Sequence, residues 1–121
     1  MLESSTEVGV SPSGTTYRLG TGEDDGPLLC LIAEMASGVG GMSCARPELF
    51  ERSGLALGVT EGPAALAEDR EPFGELAVLL PEGAVVTSVP DDATRVGDLI
   101  IVKRDAEDFD GPSMLRSIEF D

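Results

Sequence analysis

"PLLCLIAEMASG", residues 27–38, carries apolar side chains at Leu28, Leu31, Ile32 and Met35. This is the i, i+3, i+4, i+7 spacing of one helix face, and Leu29 and Cys30 widen the stripe. Asp24 or Asp25 stands where an N-cap side chain accepts a backbone N–H, and Pro27 suits a first helical turn. Gly38 stands where a left-handed C-cap ends a helix. The stretch therefore reads as the main core helix of the chain.

On its N-terminal side, residues 1–26 are rich in Ser, Thr and Gly, with one short strand expected at "TTYRL" before the acidic turn "GTGEDDG". This part reads as an extended, partly mobile acidic arm, ordered mainly by contact with a partner. On its C-terminal side, "GVGGMSC" (38–44) reads as a tight helix-to-helix connection. A second short helix is expected from Pro47 to Arg52, stopped by Gly54, and a third at "GPAALAEDR" from Pro63. From Phe73 the texture changes to β-branched runs between turn signals. "ELAVLLPEGAVVTSVPDD" gives two strands around Pro81-Glu82-Gly83, "GDLIIVKR" a third and "SMLRSIEF" a fourth. The expected class is α+β: one main N-terminal-half helix packed on a mainly antiparallel, turn-rich β-sheet or small barrel formed by the C-terminal half. Residues 27–121 form a single α+β domain in this reading, with no internal repeat.

A chain of 121 residues can bury a core without staples, and 41% hydrophobic content argues against a disordered acidic tail. The charge is uneven: 23 acidic against 8 basic residues give −15, Lys103 is the only lysine, and histidine is absent. In molar salt the Debye length falls to about 3 Å, so dense carboxylates cease to repel one another and keep the surface hydrated. A salt-adapted surface is the expectation. The same charge disfavours direct nucleic-acid binding, which rests on neutralising phosphates; a carboxylate-coated DNA mimic is a further alternative. No apolar stretch approaches the length of a membrane span, and "MLESSTEVGV" has no basic region before an apolar core. A cytoplasmic protein, or one assembled into a particle inside the cell without a secretory signal, is expected.

"RDAEDFDG" (104–111) invites a metal-loop reading. With Gly111 at the sixth position of a calcium loop, Ala106 falls at the first and Ser117 at the twelfth, and neither supplies the carboxylate required. Asp105, Glu107, Asp108 and Asp110 remain weak candidates for a looser single-ion site, against the plainer reading of a solvated acidic turn. The glycine cluster does not follow a strand in this reading and lacks a GK[ST] sequence, so a phosphate loop is disfavoured. Gly40, Gly41, Cys44 and Arg46 form the best candidate anion or ligand loop. Cys44 has no histidine anywhere to act as its base, and two cysteines fourteen residues apart match no known redox spacing; both are expected as buried structural cysteines. No catalytic set, cofactor or metal is expected.

By exclusion, the expected function is a non-enzymatic structural or interaction subunit of a larger homo- or hetero-oligomeric assembly, such as a capsid-surface or cementing protein. The alternative is a small enzyme or ligand-binding domain built on the 38–44 loop and Arg46.

Overall fold

The computed structural model describes residues 2–23, 26–35, 38–61, 73–105, 109 and 115–120. The chain begins with four strands, β1 (Leu2–Val10), β2 (Thr16–Glu23), β3 (Pro27–Met35) and β4 (Gly38–Ala45), paired in that order into one antiparallel sheet. A short helix, α1 (Pro47–Ser53), then leads to β5 (Leu55–Glu61) and β6 (Phe73–Leu79). These join β8 (Thr94–Val96) and β9 (Leu99–Asp105) in a second antiparallel sheet of order β5-β6-β9-β8. A third, two-stranded pairing joins β7 (Val86–Ser88) to β10 (Glu119–Phe120).

This architecture overturns the α+β expectation: the described residues are mostly strand, in several antiparallel sheets, and α1 is a short helix of seven residues. The apolar run 27–35 is β3, an interior strand with β2 and β4 on its two sides. Its inward set is Leu29, Leu31, Ala33 and Met35, alternating with Leu28, Cys30, Ile32 and Glu34 on the outer face. Both faces of the strand are largely apolar, and such a short run fits a 3.6-residue template as readily as a 2-residue one. Pairing decided the matter, because Thr16–Glu23 aligns with it residue by residue on one side and Gly38–Ala45 does so on the other, apart from one bulge at Gly40. Pro27 sits at the first strand position, where proline's missing N–H is tolerated.

The stretch "GVGGMSC" is accordingly strand β4 and not a connection between helices. Its glycines permit close approach: a β-carbon on Gly41 would lie 3.4 Å from Leu57 Cδ1, and one on Gly40 would lie 2.8 Å from the Met35 side chain. The expected helix at Pro47 is present as α1. It ends at Gly54, whose φ of 69° favours glycine and whose N–H donates to the Phe50 carbonyl. The helix expected from Pro63 lies outside the described residues. Residues 2–23, expected as an arm with one strand, supply β1 and β2, and Tyr17 of β2 is fully buried.

The two four-stranded sheets face each other across one apolar layer, built from Tyr17, Leu31, Ala33 and Met35 on one side and from inward residues of β5, β6 and β9 on the other. A second layer lies on the far face of the β5-β6-β9-β8 sheet, with Leu76, Val78, Leu80, Ile100 and Val102 covered by Ile118, Val86 and Phe120 from the C-terminal elements. Strand β6 is therefore buried on both faces throughout. Phe109, from the acidic stretch "RDAEDFDG", packs against this second layer and lies so close to Gly74 that any β-carbon there would collide with its ring. That stretch thus contributes an aromatic anchor to the core. No helix among the described residues is long and apolar enough to cross a membrane.

Candidate functional site

Glu75 is the one described acidic residue with a fully buried side chain. The two-residue period of β6 puts it on the same face as Phe73, Ala77 and Leu79, pointing into the layer between the sheets. A carboxylate placed there without partners would be strongly destabilising. Two hydroxyls meet it: Tyr17 Oη donates to Oε2 at 2.5 Å and Ser13 Oγ donates to Oε1 at 2.7 Å.

Tyr17 comes from β2 and Ser13 from the turn "SPSGT" between β1 and β2, so the carboxylate of one sheet fastens the turn of the other. Ser13 spends its single proton on Glu75, which makes Ser11, 2.7 Å away, the donor to Ser13. Ser11 Oγ in turn accepts the Thr15 backbone N–H at 3.3 Å. The donors run in one direction towards the carboxylate, an arrangement in which each bond strengthens the next. Burial, reinforced by the hydrogen bond to Glu75 and by its charge, holds the Tyr17 phenol far above its ordinary value. The phenol keeps its proton at neutral pH and acts as donor.

Chemically the cluster resembles an acid-base site, but Glu75 and Tyr17 are both fully shielded from solvent. Its hydroxyl donors are consumed by the carboxylate and by one another. It acts as a polar clamp across the sandwich. The sequence signal for it was the lone Glu in the apolar run "FGELAVLL"; its partner lies 58 residues away and no local pattern names it.

The candidate ligand loop is not assembled as a loop. Gly40, Gly41 and Cys44 lie along β4, and Arg46 follows at the N-cap of α1. The Arg46 guanidinium lies beside Gly26, where a β-carbon would come within 2.7 Å of Nη1. Cys44 carries no free thiol: it faces Cys30 directly across β3 and β4 and is joined to it by a disulfide, with the Cα atoms 4.0 Å apart. Both cysteines are expected to be buried; Cys30 is, whereas Cys44 is exposed, because the disulfide stands on the outer face of the sheet.

Of the metal candidates, Asp105 ends β9, while Glu107, Asp108 and Asp110 lie outside the described residues. Among the described residues no group of three or more His, Cys, Asp or Glu converges on a point that could hold an ion. Other charges are paired at the surface. Arg18 meets Glu34 at 2.7 Å on the outer face of the first sheet, and Arg104 grips Asp92 with two hydrogen bonds of 2.8 and 3.0 Å, which hold the Asp92 carboxyl below its usual range.

A shallow cleft of about 510 Å³ lies between α1 and the Pro81–Glu82 turn, lined by Leu29, Pro47, Phe50, Glu51, Pro81 and Glu82. It is open to solvent and holds the carboxylates of Glu51 and Glu82, with no Arg or Lys among its described lining residues. The site and fold together define a disulfide-bonded antiparallel β-sandwich with an acid-coated surface. No protein-family model, curated protein or solved structure matches the chain.

Proposed function

We propose that this chain is a non-enzymatic structural or interaction subunit of a larger assembly, of the kind that coats or cements a particle, with a surface adapted to high salt. The observation that carries the reading is the division of its polar groups. The buried cluster around Glu75 is used up in joining one sheet to the other, whereas acids such as Glu7, Glu34, Glu51, Glu82, Asp91 and Asp98 are exposed. A chain that, among its described residues, uses its one deep carboxylate in internal bonding and leaves other acids exposed suits a rigid, hydrated building block.

Light scattering and sedimentation across protein concentration, in potassium chloride from physiological to molar levels, test the reading. The expected result is association that strengthens with salt, accompanied by a rising melting temperature as screening relieves the self-repulsion of a −15 chain. A strict monomer at every salt concentration, with stoichiometric small-molecule binding in the cleft beside α1, would replace it with the ligand-binding alternative.

A further inference from the structure

The Cys30–Cys44 pair differs from a disulfide that draws two distant parts of a chain together. Its two residues are register partners in neighbouring antiparallel strands, flanked by the partners Leu29 with Ala45 and Leu31 with Ser43. Strand pairing alone brings them face to face, and the short Cα separation belongs to the closer of the two alternating antiparallel pair types. Closing or opening the bond therefore requires no change of strand register. The two sulfurs are unequal in access: Cys30 is 2% exposed, whereas Cys44 lies on the exposed outer side of β4 next to the solvent-facing Met42.

We propose that Cys30 and Cys44 form a redox clip that closes after the sheet has folded, with Cys44 as the sulfur that exchanges with external disulfides and Cys30 as the sulfur that resolves the adduct. The Cys44 thiolate attacks a low-molecular-weight disulfide, forming a mixed disulfide and expelling one small thiolate. The Cys30 thiolate then attacks the Cys44 sulfur, forming the protein disulfide and expelling the second small thiolate. Two protein thiols are oxidised, one external disulfide is reduced to two thiols, and the two protein protons pass to solvent or to the departing thiolates. A chain made where thiols are kept reduced would fold with the clip open and close it on reaching oxidising surroundings.

The test uses the full chain, reduced with dithiothreitol under native conditions, freed of reductant and treated with oxidised glutathione. Mass spectrometry follows the products, while circular dichroism and the emission of the single tyrosine monitor the fold. Reduced wild type is expected to remain folded and to close without accumulating an adduct. Cys30→Ser should trap glutathione on Cys44, and Cys44→Ser should be modified at Cys30 about tenfold more slowly or less, because access governs exchange. Denaturant should abolish that difference. If Cys30→Ser does not melt cooperatively, Cys30→Ala provides the same readout without a buried hydroxyl. Equal rates for the two folded variants, or reduced wild type that is unfolded and closes only on reoxidative refolding, would overturn the proposal.

Discussion

Strands β3 and β6 are both interior strands of four-stranded antiparallel sheets, both are largely apolar, and each carries one glutamate. Their surroundings differ. β3 has core on one face only, and Glu34, on the other, lies 45% exposed beside Arg18. β6 has core on both faces, and its Glu75 is sealed between the sheets with Tyr17 and Ser13 as donors. The same residue type is thus a screened surface charge in one strand and a clamp in the other. What separates them is whether a second layer covers the face on which the side chain stands.

If that comparison is right, removing the two carboxylates has very different consequences. Glu75→Ala leaves the buried Tyr17 hydroxyl without its acceptor, turns the half-buried Ser13 back on Ser11 or Thr15 and opens a void, and should cost about 3 kcal/mol, read as a lowered denaturant midpoint. A loss below about 1 kcal/mol would show that the cluster is not a clamp. Of similar size is the clip on β3: opening a disulfide that closes a loop of about fifteen residues should cost roughly 3 kcal/mol, measured by melting with and without dithiothreitol.

Tyr17→Phe removes one of two donors to Glu75 and should cost about 1–2 kcal/mol. It also has a pH signature. The folded-state value of the phenol is raised above its unfolded value near 10, so its stabilisation is complete below about pH 10 and is lost as pH rises further, the unfolded chain releasing the proton first. With one tyrosine and no tryptophan, phenolate absorbance should appear together with unfolding and not before it. Phenolate forming in the folded protein at ordinary alkaline pH would contradict the burial of Tyr17. The smallest effect is expected at Glu34→Ala, within about 0.5 kcal/mol and vanishing in molar salt, since exposed pairs are weak and screened.

Much of the second half of the chain was legible from local pattern. The runs at Phe73–Leu79, Val86–Ser88 and Leu99–Asp105 lie where β-branched residues between turn signals place them, and α1 has the proline start and glycine stop that its sequence advertises. The first half was misread at residues 27–38, because Leu, Ala, Glu and Met favour helix and the apolar spacing satisfied a helical template. The same ambiguity extends to the glycine stretch after it, which by sequence reads as a connection and a candidate loop, although its glycines serve close packing against Met35, Leu57 and Val59.

The sequence by itself determined the acid-coated surface, the positions of the main turns and the lack of any histidine-dependent chemistry, since these follow from composition and from short-range backbone preferences. Tertiary structure alone decided that residues 27–35 are a strand, that Cys30 faces Cys44 and that Glu75 finds Tyr17. Each of these depends on which segments pair or stack at long range. Where both faces of a short run are apolar, the free energy that selects helix or strand comes from the neighbouring strands and the opposing layer.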